Sequence, residues 1–299
     1  MIDGFLNINK PAGMTSHDVV ARTRRLFNQK RVGHLGTLDP EATGVLPVAL
    51  GMATRLIEYF DHCLKSYQAQ LTFGIRTDTE DAWGSILENQ ETKGLTLEQI
   101  EEILPEFKGD ILQIPPMYSA LKVQGKRLYE LAREGKEVKR EPRKVSIYSL
   151  EILNWENPKL DFSVSCSRGT YIRSLCRDMG ERLLVGGHMS SLIRTAVGPF
   201  QLEDSVTLEK LERNLQDYIM AIDQPLSFLP KLYLDELEKH FVQHGKQLGD
   251  KDFNELIFDK PYTGNYLRLY AGDVFLGIAK FNKVANRLET RLDKIILPA

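Results

Sequence analysis

Residues 33 to 46 read GHLGTLDPEATGVL. Gly33, Gly36, Pro40 and Gly44 interrupt any regular backbone repeat, so Val32 to Gly44 is expected to be a loop of special geometry. Loops carried on a rigid scaffold are where chemistry concentrates. Asp39 stands before a proline, which taken alone is a turn signal with the carboxylate capping nearby backbone. The flanks indicate the scaffold. Upstream, FLNIN (Phe5 to Asn9) alternates as a strand does and stops at the turn Lys10-Pro11-Ala12-Gly13. A helix follows, capped by Thr15 or Ser16, with Val19, Val20, Thr23, Leu26 and Phe27 at helical spacing over Arg22, Arg24 and Arg25, ending near Gln29. Downstream, Val45 to Leu50 is an apolar run and Met52 to Phe60 a short helix. YQAQLTF (Tyr67 to Phe73) is a strand with Tyr67, Ala69, Leu71 and Phe73 on one face.

An acidic loop comes next, then a helix opened by the capping box Thr96/Gln99 and carrying Ile100, Ile103 and Leu104 before Pro105. This stretch, 76–110, reads as a peripheral insertion. Ile114 to Ala120 is held extended by its prolines, and Gly125 to Gly135 (GKRLYELAREG) reads as a short basic helix closed by a glycine. Strands resume at Lys144 to Ile152 and Leu160 to Cys166, and Ile172, Leu175, Cys176, Met179 and Leu183 mark a helix over Tyr171 to Leu184. The Pro-punctuated stretch Pro225 to Pro230 sets a domain boundary, dividing the chain into 1–228 and 229–299. In the smaller part, Leu234 to Gln243 predicts a helix, and Tyr266 to Tyr270 and Val274 to Phe281 predict strands about the Gly272-Asp273 turn. The fold class is thus α/β of the mixed α+β kind: a largely antiparallel sheet flanked by helices, then a small β-rich domain.

At 299 residues the chain exceeds what a single core usually holds, consistent with one large unit and one small. Hydrophobic residues at 42% and charged residues at 27% fall in the range of soluble globular proteins. The start carries Asp3 and lacks a basic region followed by an apolar run, so it does not read as a secretory signal. No stretch approaches a membrane span. The expected location is the cytoplasm. Cys63, Cys166 and Cys176 are odd in number and lack C-x-x-C spacing, which indicates neither a disulfide framework nor a zinc site. Gly33-His34-Leu35-Gly36 is not followed by G-K-[ST], so no nucleotide cofactor is implied. His240 and His244 share a helical face with no Glu between them and read as surface or packing residues, so no metal is expected. Net charge is −2, yet the charge is segregated: residues 76–110 hold 3 basic and 10 acidic side chains, and residues 117–147 hold 9 and 4. Such separation makes a basic face that attracts phosphates, although solvated helix faces would give the same count.

Five segments, in order NKPAGMTSHDVV, VGHLGTLDPEATGVLP, SYQAQLTFG, PPMYSALKVQGKRLYELAREGKEVKREPR and SCSRGTYIRSLCRDMGERL, resemble the bacterial tRNA pseudouridine-55 synthase family, TruB. The resemblance covers roughly residues 2–200, and the last third is similar to the reduced PUA-type RNA-binding module that ends such enzymes. At Leu192-Ile193-Arg194-Thr195 the chain departs from the family's paired arginines, which puts one phosphate contact in doubt.

The resemblance implies that uridine 55 in the T-arm loop of tRNA is flipped out and isomerised to pseudouridine without cofactor or metal. It implies Asp39 as the nucleophile and Arg173 as the cation that holds it ionised and aimed, with Arg168 the other candidate. Tyr67 would stack on the base and is the candidate for taking the carbon-5 proton. Tyr171 and Leu192 would line the uracil pocket, though helix packing would explain both. His34 would fill the gap left by the flipped nucleotide. Lys10, with Pro11, supports the catalytic loop and is also counted among the substrate-binding residues. Lys122, Lys126, Arg127, Arg140 and Arg143 would meet phosphates from the basic segment 117–147, which closes over the RNA arm. The implied partner is the T-arm stem-loop of tRNA, with no guide RNA, no protein partner and no membrane, the enzyme being a monomer. Two other readings stay open: a relative that needs guide RNA and partner proteins, and an RNA chaperone that opens the T-arm.

Overall fold

Strand β1 (Gly4–Lys10) is buried on both faces, so even Asn7 is enclosed, its amide donating to Gln201 O at 2.7 Å. In the computed structural model, which describes residues 2–296 apart from 124, 247, 249–250, 253–254, 260–261 and 285–286, helix α1 (Ser16–Leu26) follows. Thr15 is its cap, in a capping box with Asp18, and this leaves Ser16 for another task. The segment expected to be loop throughout begins as strand β2 (Val32–His34), because Val32, Gly33 and His34 pair with Leu50, Ala49 and Val48 of β3 (Thr43–Leu50). A 3-10 helix, Gly51–Phe60, precedes β4 (Lys65–Phe73), on which Tyr67, Ala69, Leu71 and Phe73 are all buried as the alternation predicts.

The acidic stretch forms a small hairpin, β5 (Ile75–Thr77) with β6 (Ile86–Asn89), and then α2 (Leu97–Ile103) behind the Thr96/Gln99 capping box. After β7 (Gly109–Gln113), the expected basic helix is only half helical. Gly125, at φ +85°, turns a two-stranded ribbon of β8 (Lys122–Val123) and β9 (Lys126–Arg127), and the helix α3 is confined to Leu128–Arg133. Strands β10 (Arg143–Glu156) and β11 (Lys159–Cys166), helix α4 (Ile172–Arg182) and strands β12 (Gly187–Val197) and β13 (Phe200–Gln201) complete the larger sheet. Helix α5 (Leu208–Arg213) leads to β14 (Lys231–Tyr233), α6 (Glu236–Gln243), β15 (Lys251–Asp252), β16 (Tyr266–Ala271), β17 (Val274–Val284) and β18 (Arg287–Ile295).

Among the described residues the larger sheet runs β1-β3-β12-β4-β11-β10-β7, with β2 on β3 and β13 on β12. Its pairs are antiparallel except β3 with β12, where Ile193 faces Thr43 and Arg194 faces Gly44. That parallel contact brings the loop before β3 against the centre of the sheet. It needs Gly44: at φ +101°, a Cβ there would lie 2.3 Å from Arg194 O. Helix α4 lays Leu175, Cys176 and Met179 on Leu71, Phe73, Phe162 and Met189. A second core, including Phe5, Ala49, Leu56, Phe60 and Phe200, continues into Tyr270, Phe275 and Ile278 of the smaller sheet, ordered β14-β16-β17-β18-β15. The chain is therefore of the mixed α+β class expected. No helix among the described residues is long and apolar enough to cross a membrane.

Candidate active site

Asp39 lies between β2 and β3 in a loop whose backbone is held from three directions. From β12, Arg194 donates to Val45 O at 2.7 Å, Gly36 O at 3.1 Å and Thr37 O at 3.3 Å. From the first turn of α1, the Ser16 hydroxyl accepts from Leu38 N at 2.9 Å and donates to Leu38 O at 3.2 Å. From the end of β1, Lys10 Nζ donates to Pro40 O at 2.7 Å, and also to Pro11 O and Met14 O. All three side chains are fully buried. An ammonium has three protons, and Lys10 gives them to three carbonyls, so it supports the loop and has none left for substrate. This corrects its place among the substrate-binding residues. Burial lowers Lys10 to about 8, against the upward pull of Glu41 and Asp39.

The Asp39 carboxylate meets Arg173, the second residue of α4, at two points: Nε to Oδ2 at 2.9 Å and Nη2 to Oδ1 at 3.3 Å. Paired N–H donors fix both the charge and the direction of a carboxylate. Arg168, the other candidate, pairs instead with Asp61 at 3.0 Å. Arg173 is buried and its remaining donors go to Thr79 O at 3.0 Å and Tyr118 O at 2.8 Å, with Asp81 at 3.9 Å. Asp39 keeps 38% of its side chain exposed and opens into a cavity of about 210 Å³, bounded by Glu41, Asp81, Trp83, Met189 and Leu192. The acidic stretch is thus not peripheral at its start. Glu80 is buried, accepts from Ser174 Oγ at 2.7 Å, and pairs with Arg177, so residues 79–81 brace α4 under the site.

Tyr67, on β4, is buried beside Arg194. Burial pushes its hydroxyl up to about 12, while the guanidinium draws it back down. Leu192, one strand over on β12, pairs with Ala69 and lines the cavity. Tyr171 caps α4 and is fixed by Gln113, whose amide accepts from its N–H at 2.8 Å and donates to its C=O at 3.0 Å. His34, at the end of β2, packs edge-on against His17 with centroids 5.6 Å apart. Burial, and then the charge of His17, depress its pKa, so a neutral ring is what it presents near neutrality. Arg194, Ser16 and Thr79 to Asp81 join the site without any signal in the sequence. An arginine at a strand position reads as a solvent-facing cation, and no local pattern marks one that will be buried on carbonyls.

In the basic segment, Lys122 and Arg127 face each other across the β8–β9 ribbon and are exposed together with Lys126 and Arg143. Arg140 differs. Its side chain is 18% exposed, with Nη1 on Pro115 O at 3.0 Å and Nη2 3.7 Å from Glu137, so it works as a strut rather than as a free phosphate contact. Among the described residues no group of three or more His, Cys, Asp or Glu side chains is disposed to hold a metal ion.

Two family models match the chain: TruB family pseudouridylate synthase (N terminal domain) over residues 24–172, and tRNA pseudouridylate synthase B C-terminal domain over residues 173–237. The chain is 47% identical to the tRNA pseudouridine synthase B of Clostridium kluyveri, covering 93% of this chain and 95% of that protein. It is 43% identical to that of Clostridioides difficile, covering 98% and 99%. Among solved structures it is similar to a chain of a Cbf5-Nop10-Gar1 complex, at 28% identity and a TM-score of 0.76 over 99% of this chain and 85% of that one. It is also similar to a chain of an H/ACA RNP bound to a substrate RNA containing 2'-deoxyuridine, at 26% identity and a TM-score of 0.75 over the same shares.

Proposed function

The chain belongs to the TruB family and is a tRNA pseudouridine synthase, and from this we propose that it isomerises uridine 55 in the T-arm loop of tRNA, alone and without cofactor. The observation that carries this reading is the two-point Asp39–Arg173 pair at the floor of a cavity, on a loop whose backbone is tied down by Lys10, Ser16 and Arg194. A uridine inside a folded loop reaches such a carboxylate only when it is flipped out of its stack. His34, a neutral plate at the end of β2, fills the space it leaves. The base stacks on Tyr67, with Leu192 of the cavity wall and Tyr171 beside it. Asp39, aimed by the two-point contact with Arg173, attacks as nucleophile while the N-glycosidic bond breaks. The base turns and rejoins the sugar through carbon 5 as the bond to Asp39 breaks and frees the carboxylate. The carbon-5 proton passes to the Tyr67 oxygen, whose phenolate Arg194 stabilises, and a proton returned to N1 completes the product and restores the phenolate. Lys122, Lys126, Arg127 and Arg143 hold the phosphates of the arm, and residues 229–299 form a second RNA-binding unit.

The likeness to chains of Cbf5 and H/ACA assemblies favours a guide-dependent alternative, but relatives named tRNA pseudouridine synthase B are more similar over nearly the whole chain. Purified protein with a T-arm stem-loop, and with bulk tRNA, followed by chemical mapping of pseudouridine, tests reaction and position together. Product at position 55 without added RNA or protein is expected. Asp39→Asn is expected to bind the RNA and make no product, and full activity in that variant would sink the catalytic assignment. Binding without product in Asp39→Asn also leaves room for a chaperone role beside catalysis.

A further inference from the structure

We infer that Trp83 is a stacking platform for an unpaired nucleobase adjacent to the target uridine, an inference that rests on the tRNA reading above. Trp83 is 55% exposed, and its indole stands on the rim of the cavity that holds Asp39. The turn that carries it is braced. Asp81 Oδ1 accepts from Trp83 N at 3.1 Å and from Thr79 Oγ1 at 2.5 Å, and Ala82 N donates to Met189 O at 3.0 Å. A large apolar ring in water, carried on a braced backbone beside the Asp39 carboxylate, is placed for a flat partner, since the turn itself has little ordering entropy left to lose on contact.

Charge identifies the chemistry of that partner. The segment that carries Trp83 holds Asp78, Glu80, Asp81, Glu88 and Glu91, and Glu41 lines the same cavity as Trp83 and Asp81. The nearby cations are already engaged by these carboxylates: Arg76 pairs with Glu88 at 2.6 Å, Lys93 with Glu91 at 3.4 Å and Arg177 with Glu80, and Arg173 lies 3.9 Å from Asp81. A rim whose cations are already engaged by carboxylates offers a phosphate little, whereas the face of a base carries no net charge and stacks on any aromatic plane. The target base itself belongs deeper, on the buried Tyr67. Extruding it leaves a neighbouring base without one stacking partner, and the rim of the cavity is where that neighbour passes.

Only two tryptophans occur, and the second, Trp155, packs edge-on against Phe73 with centroids 5.8 Å apart in the core. In a Trp155→Phe protein the emission of Trp83 therefore reports its own contact. Titration with a T-arm stem-loop RNA is expected to quench it. In steady-state kinetics Trp83→Ala is expected to raise KM about tenfold, with the loss confined to KM, and Trp83→Phe to recover most of it. A stem-loop abasic on the 5′ or the 3′ side of the target uridine should reproduce that loss with wild-type protein and add nothing further to Trp83→Ala. Turnover with unmoved Trp83 emission, or a wild-type KM in Trp83→Ala, overturns this inference alone. Absence of turnover by wild-type protein overturns the parent reading and this one with it.

Discussion

A neutral amine offers two protons where Lys10 now serves three carbonyls, and its pKa near 8 places that change within experimental reach. Above about pH 8 one of Pro11, Met14 and Pro40 loses its donor, the Asp39 loop loosens, and kcat is expected to fall. Stability moves the other way. The folded value lies below the ordinary 10.5, so between about 8 and 10.5 the unfolded chain binds more protons than the folded one, and the Lys10 contribution to stability rises with pH. An alkaline limb in kcat without a fall in Tm, present in wild type and absent from Lys10→Met, is the expected pair of measurements. At this scale short motifs lead to the right neighbourhood: Asp39 meets Arg173 and shares a cavity with Leu192, while Tyr67 lies opposite Arg194 on the adjacent strand. The sequence is not legible for buried cations. Arg140 reads as a phosphate contact, and Arg194 shows no sign of its three carbonyls, because nothing local separates a solvated guanidinium from one satisfied by backbone.

Strand β12 joins the two halves of the large sheet, yet GHMSSLIRTAV has neither a period of two nor a continuous apolar run, so nothing within it predicts a strand. Its neighbours set its place. The alternating strand β4 on one side and the apolar β3 on the other are both plain in the sequence, and β12 fills the gap between them. The β3 contact depends on Gly44. An alanine there would adopt an unfavourable φ and press its Cβ against Arg194 O and N, at 2.3 and 2.9 Å. Gly44→Ala is expected to cost at least about 2 kcal/mol, read as a lowered urea midpoint. Because Arg194 must shift as well, kcat should fall further than the smaller folded fraction explains. Strand β9 departs from the expected helix for a related reason: Lys126 and Arg127 are good helix formers, and the turn at Gly125 overrides them.

For the whole molecule, a net charge of −2 hides a division that salt can expose. Lys122, Lys126, Arg127 and Arg143 are exposed, whereas Arg140 is tied inside the segment. Replacing Lys122 or Lys126 with Ala should reduce the slope of log K against log salt by about 0.7 to 0.9 for each phosphate left without its cation. Arg140→Ala should leave the slope unchanged. The aromatic core linking Phe60 and Phe200 to Tyr270 and Phe275 is invisible in the sequence, because its members lie far apart in the chain. Distance along the chain also governs the catalytic loop. Ser16, Lys10 and Arg194 grip it across 22, 30 and 157 residues, so the geometry of Asp39 has no local template and exists only once β1, α1 and β12 have all docked. Regained activity is therefore a stricter clock of refolding than regained helix or strand signal, and competence arrives with the last long-range closure.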